Sequence, residues 1–173
     1  MAKQIIQFIV LFVILLLVQV LVCNNISLFH VATPFIFVYV LFRLPINIHV
    51  NWLMAISFAV GLLIDIFSDT YGMNALACTV TAALRNVVLS LYVPRRDEIT
   101  DPVPSIRSLG TAVFMKYLVS MTFCYCALIV TIELFSTANI LHAMLRVICS
   151  TALSFVLMLG IDSIVNTKNE KGL

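Results

Sequence analysis

Charge is what this chain has least of. Ten Lys and Arg and eight Asp and Glu are spread over 173 residues, against 62% hydrophobic residues. Long polar segments are lacking too. The only one is Pro94 to Ser108, so no stretch remains for a soluble catalytic domain or a nucleic-acid module. Glycine is scarce, with five in all, and no phosphate-binding glycine loop can be drawn. HExxH and GxSxG are absent, and no paired carboxylates face one cleft. The three histidines, His30, His49 and His142, lie on separate segments and outline no metal site. Cys124 and Cys126 are two apart, so on a helix they point roughly 200° from each other and cannot clasp one ion. Cys23, Cys78 and Cys149 read, like them, as small apolar packing residues. These absences predict a non-enzymatic protein without metal, cofactor or nucleic-acid partner.

Apolar runs are what the chain does have. A membrane span takes about 20 mostly apolar residues. Six fit, near Ile5–Cys23, Ile26–Phe42, Trp52–Phe67, Met73–Val93, Gly110–Phe135 and Ile140–Val165. The expected fold is all-α, a single six-span integral membrane domain over residues 1–173. Pro34 falls inside span two, where it kinks a helix and frees backbone groups that neighbours must satisfy. Residues 94–109 read as an exposed polar loop and 166–173 as a frayed polar tail. The first run is longer than a signal-peptide core and no small-residue cleavage site follows it, so it reads as a span.

The ten basic residues sort by side. With the N-terminus inside, seven fall in inside segments (Lys3, Arg43, Arg95, Arg96, Arg107, Lys168, Lys171) and none in an outside turn. Cytoplasmic loops carry excess Lys and Arg, so both termini are expected in the cytoplasm. The net charge of +2 says little more.

The other three cations, Arg85, Lys116 and Arg146, lie within spans, as do Asp65, Glu133 and Asp162. Intramembrane ionisable residues usually face the bundle interior. Depth along each span sorts them into two layers. Asp65, Asp69, Glu133 and Arg146 form an outer layer in which Arg146 pairs with Glu133, Asp65 or Asp69, Glu133 foremost. Arg85, Lys116 and Asp162 form an inner layer in which Asp162 pairs with Lys116 or Arg85, although Lys116 is also placed to snorkel. A gap at middle depth favours helix packing over a ligand or proton path. His142, Arg146, Ser150 and Ser154 form a polar stripe expected to face inward.

Small residues mark close helix packing. Ser57, Gly61 and Asp65 recur every four residues in span three, and Ala75, Thr79 and Ala83 in span four. Gly72 belongs to the tight turn between them. Asp65 is placed to accept hydrogen bonds from backbone N–H groups at the start of span four.

The stretch Gly61-Leu62-Leu63-Ile64-Asp65-Ile66-Phe67-Ser68-Asp69-Thr70-Tyr71-Gly72-Met73-Asn74-Ala75-Leu76 resembles the signature of the MreD family of rod shape-determining membrane proteins. Pro34, Arg43-Leu44-Pro45 and the chain length fit the same pattern. Arg85-Asn86 and the proline-containing loop after span four look like its Bacteroidetes-type branch. The motif covers about 16 residues; spans one, two, five and six match in character rather than in letters. The resemblance implies a non-catalytic bacterial inner-membrane subunit that supports cell shape and lateral peptidoglycan synthesis. Implied partners are an MreC-like protein, a RodA-type glycosyltransferase, a class B penicillin-binding transpeptidase and the MreB-type cytoskeleton, within membrane lipid. The implied compact bundle is similar to the S-component fold of energy-coupling-factor transporters. The alternative is therefore a vitamin-binding S component, which would carry an Ala-rich stripe on span one. No Ala or Gly occurs from Ile5 to Val20. An ion channel or secondary transporter would want midplane polar sites or broken helices, at which only Pro34 hints.

Overall fold

The computed structural model describes residues 2–23, 33–93, 103–134 and 140–170. Its elements, in chain order, are α1 (Ala2–Val18) running into a π-helical turn (Gln19–Cys23), α2 (Val38–Phe42), α3 (Val50–Ser68), α4 (Met73–Tyr92), α5 (Ile106–Leu109), α6 (Thr111–Leu134) and α7 (Ile140–Glu170). Among the described residues there is no strand. Four helices, within α3, α4, α6 and α7, are long and apolar enough to cross a membrane, and Val10–Leu21 is a shorter apolar stretch. The chain is an all-helical membrane protein. Apolar side chains cover its outside, Trp52, Ile66, Leu91 and Leu141 among them, as expected where lipid is the solvent.

Helices α3 and α4 form a hairpin closed by a short turn. Asp69 (φ 54) and Gly72 (φ 78) both adopt the left-handed conformation that ends α3 and opens α4. Gly72 is thus required by its backbone angle; space around it is open, so it is no packing contact. Gly61 is the reverse case. A Cβ there would lie 2.5 Å from Ala75 Cα and 2.6 Å from the Asn74 carbonyl, so the two backbones meet at this residue.

Span two departs from the expected kinked helix. Within its described part, residues 33–36 are non-helical and only Val38–Phe42, five residues, are helical. Non-helical backbone in a membrane protein is tolerated where protein buries it; here Pro34 and Ile36 are buried and Thr33 and Phe35 half-buried. Two further expectations are corrected. The polar loop is not wholly exposed: Pro104 and Ser105 are buried, and Ser105 caps the one-turn helix α5 through reciprocal bonds with Ser108. The tail is helical as far as Glu170.

Candidate functional site

Three polar centres are built into the bundle. The first locks the hairpin. Asp65, 4% exposed, sits one turn before the end of α3. Its Oδ1 accepts from the Thr70 hydroxyl (2.5 Å), the Asn74 backbone N–H (3.0 Å) and Asn74 Nδ2 (3.0 Å). Its Oδ2 accepts from the Ala75 N–H at 2.8 Å. A helix start leaves four backbone N–H groups unpaired, and here one carboxylate takes two of them and balances the helix dipole. The Tyr125 hydroxyl of α6 donates to Asn74 Oδ1 at 2.6 Å, which ties the hairpin to the next helix.

The second centre grips the broken span. Gln19 Nε2 donates to the Pro34 carbonyl (3.0 Å) and its Oε1 accepts from the Ile36 N–H (2.9 Å). Ser150 Oγ accepts from the Thr33 N–H (3.2 Å) and Ser154 Oγ from the Phe35 N–H (2.8 Å). Proline has no N–H, so every backbone donor from Thr33 to Ile36 has a side-chain partner.

The third centre fixes the far end of that segment. The Tyr39 hydroxyl donates to Asp162 Oδ1 (2.6 Å), Arg43 donates to the Tyr39 oxygen (3.1 Å), and Arg43 Nη1 lies 3.8 Å from Asp162 Oδ1. Arg85, 1% exposed, donates to the Leu44 carbonyl, to the Pro45 carbonyl (3.4 Å) and through Nε to the Tyr117 hydroxyl (3.2 Å). The Tyr117 hydroxyl in turn donates to the Phe42 carbonyl at 3.2 Å. A helix end leaves its last carbonyls unpaired; Tyr117 supplies a donor to the last residue of α2, and Arg85 supplies those of the turn beyond it.

These contacts revise the expected inner layer. Asp162 meets Tyr39 and Arg43, and Arg85 donates its hydrogen bonds to carbonyl oxygens and Tyr117. Arg43, expected in an inside loop, is instead 8% exposed and in the bundle. Lys116 is exposed, because α6 turns Phe114, Tyr117, Leu118 and Met121 inward and Lys116 falls on the opposite face. In the outer layer, Arg146 Nη1 contacts Glu133 Oε2 at 2.6 Å, with side chains 28% and 30% exposed, so this pair lies at the rim. Asp69 is exposed on the turn. His142 is exposed as well. Four-residue steps drift by about 40° on a helix, so a stripe centred on Ser150 and Ser154 has rotated His142 outward.

The same drift explains α4. Ser57, Gly61 and Asp65 are buried on α3, but of the expected α4 stripe only Ala75 is; Thr79 and Ala83 are half-buried. The seam actually buried runs Ala75, Cys78, Ala82, Arg85 and Leu89, alternating three- and four-residue steps. Gln19, Tyr39, Asn74, Tyr117 and Tyr125 went unread in the sequence. Gln19 had a usable signal: an amide deep in an apolar run needs a partner.

A cleft of about 190 Å³, half open to the outside, lies beside the hairpin turn and includes Gln19, Thr33, Asn74, Glu133 and Arg146 in its lining. Among the described residues no three His, Cys, Asp or Glu side chains gather as a metal site. Cys78, Cys124, Cys126 and Cys149 are free thiols. Comparison with protein-family models, with curated proteins and with solved structures returns no match.

Proposed function

We propose that the protein is a non-catalytic membrane subunit of the bacterial cell-wall elongation machinery, an MreD-like protein of the inner membrane with six spans and both termini in the cytoplasm. The observation that carries this reading is the use made of the Gly61 to Leu76 stretch, the segment on which the family resemblance rests. Gly61 admits the α4 backbone, Asp65 and Asn74 hold the start of α4, and Gly72 sets the turn. The residues of the motif are used to build and lock the hairpin. The outer turns are short, so an MreC-like partner is met through helix surfaces, with the glycosyltransferase, transpeptidase and cytoskeleton joined through the assembly.

Depletion in a native host should disturb cell shape and lateral wall incorporation, and crosslinkers on the exposed faces of α3 and α7 should capture the MreC-like partner. Normal wall growth together with lost uptake of one vitamin would decide for the S-component reading, which the cleft favours and the composition of span one opposes. Topology has its own test. Asn139 and Asp97 lie outside the described residues. A cysteine at Asn139 should react with an impermeant reagent on intact cells, and one at Asp97 only after permeabilisation.

A further inference from the structure

The cleft beside the hairpin turn combines three properties. Its volume, about 190 Å³, exceeds the roughly 150 Å³ that suffices for a six-carbon ring. It is therefore large enough for a group of about eight heavy atoms. Its mouth is at the depth of the helix ends, with Gln19 and Thr33 deeper in: Ser68 closes α3, Met73 opens α4, Glu133 is the next-to-last residue of α6, and Arg146 is in the second turn of α7. That is the level at which hydrocarbon gives way to lipid head groups. Its rim carries one cation and one anion in contact, Arg146 and Glu133, each partly exposed.

A rim of this kind discriminates by charge. An anion attracted to Arg146 is repelled by the adjacent Glu133, and a cation meets the reverse. A zwitterion satisfies both while the pair stays together. Arg146 presents a planar donor fork suited to a phosphate, and Glu133 accepts N–H donors. A quaternary ammonium offers Glu133 no hydrogen to bind, and among the described residues the lining holds one aromatic ring, Phe35, where recognition of such a cation wants a cage of them. We propose that this cleft binds a phosphoethanolamine group, with its phosphate on Arg146 and its primary ammonium on Glu133. The group can be the head of a phosphatidylethanolamine or the free zwitterion. The inference is independent of the assembly role.

The test is native mass spectrometry of the full chain released from micelles containing equal phosphatidylethanolamine, phosphatidylcholine and phosphatidylglycerol, beside thermal stability with free phosphoethanolamine. Phosphatidylethanolamine should be retained at least five-fold over each of the other two. Glu133→Gln should abolish that preference. Thr33→Leu, which fills the cleft and leaves the ion pair in place, should lower retention and keeps the test readable if the charge variant does not fold. A stability rise with free phosphoethanolamine would identify the soluble zwitterion as a ligand too; retention of the lipid alone would assign the lipid head. Equal or stronger retention of phosphatidylglycerol or phosphatidylcholine overturns the proposal. So does a preference that survives Thr33→Leu undiminished.

Discussion

Replacing Asp65 tests the hairpin lock directly. Its carboxylate accepts four hydrogen bonds, two of them from the backbone of α4. Asp65→Leu removes all four and leaves the Asn74 and Ala75 N–H groups buried without an acceptor. Polar contacts between membrane helices average about 0.6 kcal/mol each, which puts a floor near 2 kcal/mol under four of them. Two orphaned buried donors at about 1–3 kcal/mol each give a range of about 2–6 kcal/mol. The bonds share one carboxylate and do not add, so the expected loss is about 3 kcal/mol. Asp65→Asn can keep its carbonyl oxygen at the Oδ1 position, with three of the four donors. It turns an amide N–H toward Ala75 and gives up the charge at the helix start, about 1–1.5 kcal/mol in all. Reversible unfolding in mixed micelles with rising dodecyl sulfate, followed by helical circular dichroism, reads both values. Equal losses for Asn and Leu, or a Leu variant within about 0.5 kcal/mol of the parent, would refute the lock.

Gly61→Ala should cost about 1–3 kcal/mol in the same assay, because the added methyl meets α4 backbone that no rotamer change can move; a neutral result would mean the two helices part freely. Gln19→Leu strips two bonds from the segment before α2 and should cost about 2 kcal/mol; a neutral result would show that segment to be held by Ser150 and Ser154 alone. The partly exposed Arg146–Glu133 pair should contribute under about 1 kcal/mol, so Arg146→Gln shifts unfolding little and the double charge swap is tolerated; a loss of several kcal/mol would show the pair to be buried in the membrane. Tyr39→Phe removes the hydroxyl that joins Arg43 to Asp162 and should destabilise by about 1–2 kcal/mol, with most of that effect absent in an Asp162→Ala background, which has no acceptor for it.

The ends of α3 and α4 were readable in the sequence because a long apolar run stops at a turn signal, Ser68 to Gly72. The role of Asp65 was readable for the same reason: its partner helix begins a few residues on, and a tight turn leaves little freedom. The broken span was not. Pro34 announces a kink, but whether the chain bends or unwinds depends on what stands opposite, and the partners are 15 to 119 residues away in sequence. Pairings in the inner layer failed on direction rather than depth. Arg85 and Asp162 are both buried, yet on helices whose facing seams point each toward α2 rather than toward the other. A strict four-residue rule misplaced His142, Thr79 and Ala83 because 3.6 residues per turn carries such a stripe around the helix within three steps.

The inward side of α7 shows what these polar residues accomplish together. Arg146, Ser150, Ser154, Met158 and Asp162 stand four apart and trace one oblique ridge. In order they contact the Glu133 carboxylate, the Thr33 N–H, the Phe35 N–H, the Thr122 hydroxyl and the Tyr39 hydroxyl. The ridge follows the course of the broken span from Thr33 to Tyr39, with Gln19 holding that span from the other side. The middle depth that seemed empty of polar groups in the sequence is therefore furnished by Gln19, Ser150 and Ser154. Their hydrogen bonds go to the backbone of this chain, where a ligand or proton path would hold them open. A transporter needs such groups to exchange partners during its cycle. Here each exchange would expose unpaired backbone to hydrocarbon, at several kcal/mol per group. That cost argues for a bundle kept in one shape, as suits the proposed role of presenting a fixed surface to partners.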